Sequence, residues 1–275
     1  MLPVFIAGGA MRIAVAGATG RMGRAVMAVV LQSPDTTLTG ALARSGDGAC
    51  GRDAGLLIGA EPVGVLVSDA PAQVIAGCDV LIDFTHPQST AEYAEICARL
   101  GKRAVIGTTG LSGAVLDRLR LLAERTGFVV AANMSIGVNV ALHLLEIAAR
   151  ALGDADVEIF EAHHRHKLDA PSGTALRMGE VVASARGQNL DDVAVYDRHA
   201  QRTERIPGSI GFASVRAGEI VGEHRVFLAL PAERLEIAHV AESRHVFAEG
   251  ALRAARFVVS QRAGLFDMQD VLGFR

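Results

Sequence analysis

Short apolar runs alternate with amphipathic stretches along the first half of the chain, and this pattern predicts strands and helices in turn. The apolar runs that predict buried strands are residues 12–16, 37–42, 63–67, 80–84, 103–106 and 128–132. Helical spacing covers residues 24–31, 85–100 and 112–125. Strands that alternate with helices in this way predict a doubly wound parallel sheet, as in Rossmann-type nucleotide-binding domains.

The pattern changes after residue 152, where strands follow one another closely with hairpin-like links. These strands are predicted at 157–163, 194–196, 210–215, 219–230 and 234–240, with helices at 139–152, 174–186 and 247–260 and a polar loop at 191–208. We therefore expect a smaller α+β domain with a mostly antiparallel or mixed sheet. Only one or two helices are available to cover this sheet, so its other face is expected to pack against another subunit.

The predicted organisation is a dinucleotide-binding domain and a domain for substrate binding and oligomerisation. The bounds are 11–134 with 245–275 for the first and 135–244 for the second, with 1–10 as a leader or alternative start. Residues 1–10 lack the charged beginning of a secretion signal.

Composition excludes several classes of function. Half of the 275 residues are hydrophobic and 21% are charged, which is typical of a soluble globular protein. The net charge of −3 gives no reason to expect nucleic acid or an anionic membrane as partner. No apolar run reaches the ~18 residues of a membrane span. The three cysteines are scattered and form no C-x-x-C pair, which favours the cytoplasm over an oxidising compartment.

The first strand ends in a glycine turn, Gly17-Ala18-Thr19-Gly20-Arg21-Met22-Gly23, and a helix follows at once. Glycines let the backbone approach a pyrophosphate, and a helix N-terminus offers N–H groups and a partial positive charge. After the second strand the sequence offers Arg44 and no acid before Asp47. A guanidinium suits a 2′-phosphate, so the sequence favours NADPH, with NADH possible.

Three further strand ends form a predicted rim around this turn. They lie at 84–85, 107–109 and 131–134. Ligands of doubly wound sheets bind beyond the carboxyl ends of the strands. This rim therefore suits the ribose and nicotinamide of a dinucleotide.

The densest group of titratable residues lies at 161–175, Glu-Ala-His-His-Arg-His-Lys-Leu-Asp-Ala-Pro-Ser-Gly-Thr-Ala. Histidine exchanges protons near neutral pH, and we expect the strand to end near His163, where catalytic groups tend to lie. Lys167 could supply a positive charge or a proton. The turn Ser172-Gly173-Thr174 would hold a carboxylate by backbone N–H and hydroxyl groups.

Two other kinds of enzyme fit these residues less well. A zinc hydrolase is disfavoured because His163, His164 and His166 lack the i, i+4 spacing of a helical zinc motif and no cysteine or carboxylate cluster joins them. A short-chain dehydrogenase would need Tyr-x-x-x-Lys. Neither Tyr93 nor Tyr196 is followed by a lysine at that spacing.

The stretch 161–175 resembles the signature of the 4-hydroxy-tetrahydrodipicolinate reductase (dihydrodipicolinate reductase) family. The resemblance covers nearly the whole chain from Met11. It includes 15–24, 82–85, 105–110, 131–139, 207–213, 216–224 and 264–268.

This resemblance implies NAD(P)H-dependent reduction of a small cyclic dicarboxylate, in the diaminopimelate route to lysine, by a homotetramer built through the second domain's sheet. It implies that His163 is the acid/base residue and Lys167 the proton donor, that His164 binds substrate, and that Gly173 and Thr174 hold a carboxylate. His166 is left without a role. The implied cofactor residues are Gly17, Ala18, Thr19, Gly20, Arg21 and Met22 for the pyrophosphate, Gly107, Thr108, Thr109, Ala131, Ala132, Asn133 and Met134 for the nicotinamide side, and Arg44 for a 2′-phosphate.

Two departures from the family pattern concern the cofactor. Ala43 stands where some members have a ribose-binding glutamate, which supports NADPH over NADH. Met134 replaces a common phenylalanine beside the nicotinamide, so we expect altered affinity with activity retained. A non-catalytic NADPH-binding sensor is the alternative function, but it would leave the histidine–lysine cluster without a role.

Overall fold

The computed structural model describes residues 9–199 and 202–275. Its strands are β1 Met11–Ala16, β2 Thr36–Leu42, β3 Val67–Ser68, β4 Val80–Asp83, β5 Arg103–Ile106, β6 Gly127–Val130, β7 Asp156–His163, β8 Ala194–Val195, β9 Ile210–Arg216, β10 Gly222–Ala229, β11 Arg234–Ala241 and β12 Gly264–Phe266. Its helices are α1 Arg21–Gln32, α2 Ala54–Leu57, α3 Pro71–Ala76, α4 Pro87–Leu100, α5 Gly113–Ala123, α6 Ile136–Ala151, α7 Gly173–Ala185, α8 Leu190–Val193, α9 His245–Val259 and α10 Met268–Leu272. The predicted leader, 1–10, lies outside the described residues except for Gly9 and Ala10.

The chain divides into two compact units. The first runs to Ile136 and includes Arg244–Arg275, and the second is Gly137–Ser243. No helix in the described part of the chain is long and apolar enough to cross a membrane.

The first unit is built on a seven-stranded sheet in the order β12-β6-β5-β4-β1-β2-β3. Every neighbouring pair is parallel. The strand order reverses between β1 and β4, and the carboxyl ends at such a reversal are where open α/β sheets bind ligands. The predicted Rossmann-type sheet is confirmed.

Helices cover both faces of this sheet, which explains why its strands are apolar on both sides. On one face, Val26 and Met27 of α1 pack in the same buried cluster as Leu252 of α9. On the other face, Cys97 of α4 and Leu119 of α5 pack with the strands. The burial of cysteine here fits its behaviour as a small apolar residue.

The predicted third strand is mostly loop. Only Val67–Ser68 pair with β2, while Leu66 is 59% exposed. The carboxylate of Asp53 accepts hydrogen bonds from the backbone N–H groups of Val63 and Gly64, at 3.0 and 2.7 Å. These bonds hold the backbone of 63–64 against Asp53 instead of a neighbouring strand, so the prediction of a strand over 63–67 was wrong for most of its length.

The second unit contains a five-stranded sheet in the order β11-β10-β7-β9-β8. β10 is antiparallel to both β7 and β11, whereas β7, β9 and β8 run parallel to one another. The predicted mixed sheet is confirmed. One face is the core of this unit, where Ile159 of β7 and Val226 of β10 pack with Leu145 of α6 and Val182 of α7. On the opposite face, Val215 and Val240 are 37% and 57% exposed.

Candidate active site

The glycine turn after β1 is shaped by two close approaches of backbone. Gly17 has a φ of +78°, a left-handed conformation, and a Cβ there would lie 2.9 Å from the carbonyl oxygen of Phe84. A Cβ at Gly23 would lie only 2.1 Å from the carbonyl oxygen of Gly17. Helix α1 can therefore begin directly against the turn only because both positions are glycine.

The N-terminus of α1 is available to an anion. Its N-cap residue, Gly20, makes no side-chain capping bond, so no side chain competes for the first N–H groups of this twelve-residue helix. The other predicted residues, Ala18, Thr19, Arg21 and Met22, lie in the turn and in the first turn of the helix. This cradle of backbone groups fits the pyrophosphate of a dinucleotide.

Arg44 lies two residues beyond the end of β2, and its side chain is 88% exposed. Its Nε is 3.9 Å from a carboxylate oxygen of Asp47. The same oxygen accepts a hydrogen bond of 3.2 Å from the hydroxyl of Thr19 in the glycine turn. The guanidinium is thus accessible, and Asp47, which had no predicted role, links the turn to it.

A buried hydroxyl network joins the carboxyl ends of β4 and β5. Asp83 is 1% exposed and accepts hydrogen bonds from the hydroxyls of Thr85 and Thr90, at 2.5 and 2.6 Å. The hydroxyls of Thr90 and Thr108 are 2.8 Å apart, and that of Thr108 accepts the backbone N–H of Thr85. Burial raises the pKa of Asp83, although the hydroxyls act in the opposite direction.

The predicted nicotinamide residues differ in exposure. Gly107 has no room for a side chain, because a Cβ would lie 2.2 Å from the ring of Phe84. Thr108 is 4% exposed and belongs to the hydroxyl network, whereas Thr109 is exposed. Of the second group, Ala132 is exposed, Ala131 and Asn133 are half-buried and Met134 is buried in the core. Met134 therefore contributes to the core at this strand end and is the least accessible residue of the second group.

The histidine cluster of the second unit begins where β7 ends, at His163, as predicted. Alternation places Glu161 and His163 on the same face as the core residue Ile159. The register pairs His163 with Arg216 of β9 and Glu161 with His224 of β10. One face of the sheet is thus apolar at one end and carries this titratable cluster at the other.

Glu161 is the centre of that cluster. It is fully buried, and its two oxygens accept hydrogen bonds from both terminal nitrogens of Arg216, at 2.9 and 2.7 Å. One oxygen is also 2.5 Å from Nδ1 of His163, and the other accepts the backbone N–H of Ser172 at 3.3 Å. Burial alone would raise the pKa of Glu161, but hydrogen bonds from Arg216, Ser214 and His163 lower it to about 2. Glu161 is therefore an anion at neutral pH.

His163 is enclosed on several sides. A Cβ at Gly222 would lie 3.1 Å from Nε2 of His163, so the imidazole packs tightly against this glycine. The ring of His224 lies edge-on with its centroid 5.2 Å away. Burial lowers the pKa of His163, with Glu161 opposing, and burial together with the charge of His163 lowers that of His224 to about 3. Both rings are therefore neutral at neutral pH.

The other predicted cluster residues follow β7 in a turn, where the N–H of Lys167 donates to the carbonyl of His164. The ammonium of Lys167 lies 2.9 Å from Asp169, with the lysine side chain 23% exposed. His164 is half-buried, and its buried Nδ1 has no hydrogen-bond partner among the residues that the structure describes. The side chain of His166 is 72% exposed. Within the described residues no group of three histidine, cysteine or carboxylate side chains is placed to hold a metal ion.

The anion turn is the N-terminus of α7. The hydroxyl of Ser172 accepts the N–H of Ala175 at 3.1 Å and is 2.8 Å from Nε2 of His224. Ser172 is 2% exposed, and both its hydroxyl and its N–H have partners within the protein. The space beside Gly173 is open, and Thr174 follows it in the first turn of this thirteen-residue helix. Ser172 thus orients the helix end, and Gly173 lies beside the open space.

Arg216, His224 and Asp83 were not among the predicted site residues. Arg216 and His224 follow Glu161 by more than fifty positions in the sequence, and only the register reveals that they meet Glu161. Asp83 could have been noticed in the sequence, because it is an acidic residue directly after the apolar run 80–82.

Comparison with protein families matches both units. Residues 11–134 match the model described as "Dihydrodipicolinate reductase, N-terminus", and residues 137–272 match "Dihydrodipicolinate reductase, C-terminus". Two similar proteins, both called 4-hydroxy-tetrahydrodipicolinate reductase, come from Nitrosospira multiformis and Nitrosomonas europaea. They are 54% and 52% identical over 266 residues, which is 96% of this chain and 98% and 99% of theirs.

Solved structures show the same likeness. A dipicolinate-bound dihydrodipicolinate reductase from Paenisporosarcina superposes with a TM-score of 0.76 at 26% identity and covers 95% of this chain and 98% of its own. An amine dehydrogenase from Mycobacterium smegmatis, at 16% identity and a TM-score of 0.66, covers 93% of this chain and 94% of its own. The second likeness concerns the fold alone.

Proposed function

The chain belongs to the dihydrodipicolinate reductase family, and we propose that it reduces 4-hydroxy-tetrahydrodipicolinate to tetrahydrodipicolinate with a hydride from NAD(P)H, in lysine and diaminopimelate biosynthesis. The observation that carries this proposal is the cluster at the end of β7, where a buried anionic Glu161 holds His163 beside the N-terminus of α7. A titratable imidazole next to an anion-binding helix end is what protonation of a dicarboxylate requires.

His163 and Lys167 carry the proton chemistry in this proposal. When bound, NAD(P)H would supply a hydride to C4 of the ring that remains after the 4-hydroxyl group of the substrate has left as water. Lys167 donates a proton to the neighbouring carbon, and its pairing with Asp169 supports a charged ammonium. His163 acts as acid/base through Nε2, because Nδ1 is engaged by Glu161. The positive charge of Lys167 stabilises the anionic character that develops in the ring.

The substrate carboxylates are held at the start of α7 and by His164. The N–H groups of Gly173 and Thr174 bind one carboxylate, favoured by the helix dipole. Ser172 supports them through its hydrogen bonds to Ala175 and Glu161. His164, half-buried with its Nδ1 unpaired, supplies a further polar contact.

The cofactor is NADPH by preference, with NADH as a weaker alternative. The turn Gly17–Met22 holds the pyrophosphate, and the exposed guanidinium of Arg44 pairs with the 2′-phosphate. The rim at 107–109 and 131–134 contacts the nicotinamide and its ribose. Ala43 offers no carboxylate to bind a free 2′-hydroxyl, which supports the same preference.

We also propose a homotetramer assembled through the second unit's sheet. The support is the exposed apolar surface opposite the core face, which includes Val215 and Val240. A cytoplasmic location is supported by the three free cysteines, Cys50, Cys78 and Cys97.

The decisive assay supplies purified protein with the product of the preceding synthase and follows NADPH and NADH oxidation in parallel. We expect turnover with both and a higher kcat/KM with NADPH. Lys167→Ala should lower kcat by about 10²–10⁴-fold, the usual contribution of a general acid, with NADPH affinity retained. Cofactor binding without any turnover by the wild-type protein would instead support a sensor. A fully active Lys167→Ala variant would refute the proton-donor role.

A further inference from the structure

Glu161 makes more hydrogen bonds than a single ion pair would provide. Its two oxygens bond to groups from three different segments: Arg216 in β9, His163 at the end of its own strand, and the N–H of Ser172 before α7. The two-nitrogen pairing with Arg216 fixes the plane of the carboxylate, because a guanidinium and a carboxylate match in a flat, forked geometry. The position of the oxygen facing His163 is therefore determined by Arg216.

The bond to His163 also determines where the ring carries its proton. An ionised carboxylate can only accept hydrogen bonds, so the 2.5 Å contact between Nδ1 of His163 and Glu161 requires a proton on Nδ1. A neutral imidazole carries one N–H, which leaves Nε2 as the unprotonated nitrogen. Nε2 is the atom that faces Gly222, where a Cβ would lie 3.1 Å from it.

We propose that Glu161 and Arg216 act as a positioning pair that holds His163 in the Nδ1-protonated tautomer and so makes Nε2 its reactive nitrogen. This inference rests on the proposed function for its catalytic consequence. The tautomer itself is a property of the resting protein.

The charged and titratable groups that face His163 come from four segments. They are Glu161 of β7, Lys167 of the following turn, Arg216 of β9 and His224 of β10. Of these, only Glu161 favours the protonated form of His163. Removing its charge therefore lowers the pKa of His163 and moves the corresponding limb of the pH–rate profile to lower pH.

The first test needs no variant. Protein labelled with ¹⁵N only in histidine is studied by long-range proton–nitrogen NMR at neutral pH, and the His163 ring is assigned by its loss in His163→Gln. We expect the Nδ1-protonated pattern. An Nε2-protonated or evenly mixed ring would overturn the proposal. Because this readout requires no substrate, it is independent of whether the reductase activity is found.

The second test is kinetic and uses Glu161→Gln with Glu180→Gln as the matched control. Glu180 undergoes the same chemical change in the same unit, but its partner Arg177 lies on the exposed side of α7. Glu161→Gln should lower kcat by about 10²-fold, within the range of acid/base contributions, and shift the pH profile, with NADPH affinity unchanged. Arg216→Lys keeps the positive charge but loses the two-nitrogen pairing with the carboxylate. Its kcat should lie between that of Glu161→Gln and that of the wild type.

Folding is checked by circular dichroism and by NADPH binding, so that a collapsed variant is not mistaken for a positioning effect. A folded Glu161→Gln protein with wild-type kcat and pH profile would overturn the proposal. If the wild-type protein itself shows no reductase activity, the proposed function fails while the tautomer measurement still decides the positioning pair.

Discussion

Two buried carboxyl groups, Asp83 and Glu161, lie near the carboxyl ends of strands in the two units of this protein, and both are at most 1% exposed. Asp83 is bonded by the hydroxyls of Thr85 and Thr90, and burial raises its pKa. Glu161 is bonded by a guanidinium, and its pKa falls to about 2 despite burial. Partners, and not depth, decide in which direction the pKa of a buried carboxyl moves.

A related difference separates the glycine turn of the first unit from the histidine cluster of the second. The nucleotide cradle is formed by backbone shape, with glycines at positions 17 and 23 and an uncapped helix end. The substrate cluster is formed by charged side chains held by one another. A pyrophosphate needs N–H groups and room, whereas proton transfer needs a titratable group held in one geometry. The backbone cradle suits the first task and the ionic network suits the second.

Breaking the ionic network should have the largest effect on stability. Arg216→Met leaves Glu161 as a buried unpaired charge, and we expect a loss of about 3–5 kcal/mol in the free energy of unfolding. Urea unfolding monitored by circular dichroism measures this loss. Arg177→Met, which breaks an exposed pair with Glu180, is the control and should change stability by about 1 kcal/mol or less. A change below 1 kcal/mol for Arg216→Met would show that Glu161 does not depend on its partner.

The two carboxyl groups should give opposite pH dependences. The folded pKa of Glu161, about 2, lies below its unfolded value, so its stabilisation is present above the unfolded pKa and is lost as pH falls toward 2. The difference between the unfolded and folded pKa values of Glu161 corresponds to on the order of 3 kcal/mol in the free energy of unfolding. The folded pKa of Asp83 is raised, so its contribution is present at low pH and is lost as pH rises through that pKa.

The free energy of unfolding of Glu161→Gln and of Asp83→Asn is compared with that of the wild type from acidic to neutral pH. This comparison separates the contributions of Glu161 and Asp83 from those of other carboxylates. The penalty of Glu161→Gln should grow as pH rises from 2 to neutrality. The penalty of Asp83→Asn should be about 1 kcal/mol at low pH, as for an ordinary buried hydrogen bond, and should shrink as pH rises. If the penalties of the two variants changed with pH in the same direction, the opposite pH dependences of Glu161 and Asp83 would be contradicted.

The smallest expected effect concerns the exposed edge of the nucleotide cradle. Arg44→Ala should weaken NADPH binding by about 10-fold, equivalent to one charge-assisted contact at a solvent-exposed position. NADH lacks the 2′-phosphate and serves as the internal control, so its affinity should not change. Fluorescence titration of both cofactors measures the ratio. Equal weakening of both would assign Arg44 a role other than 2′-phosphate recognition.

Local patterns in the sequence predicted much of this molecule, because they express local physics. The alternation at 157–163 placed His163 at the end of a strand, and the glycine spacing at 17–23 predicted the turn before α1. The apolar run at 63–67 misled, because hydrogen bonds to Asp53 compete with strand pairing there. β12, only three residues long, has too short a pattern to stand out.

The partners within the candidate site could not be predicted in this way. Arg216 and His224 lie on strands remote in sequence from Glu161, and their meeting depends on the register of three strands. Ser172 was predicted to hold substrate through its own groups, yet both its hydroxyl and its N–H have partners inside the protein. Such pairing is a property of the tertiary structure.

Transfer of deuterium from the cofactor tests the central proposal most directly. NADPH carrying deuterium at both C4 positions of the nicotinamide is incubated with the protein and freshly made 4-hydroxy-tetrahydrodipicolinate, and the product is analysed by mass spectrometry and NMR. We predict that the wild-type protein forms tetrahydrodipicolinate carrying one deuterium at C4 of the ring, and that Lys167→Ala forms it far more slowly. Failure to form the product, or a product without deuterium, would contradict the assignment of this chain as the reductase.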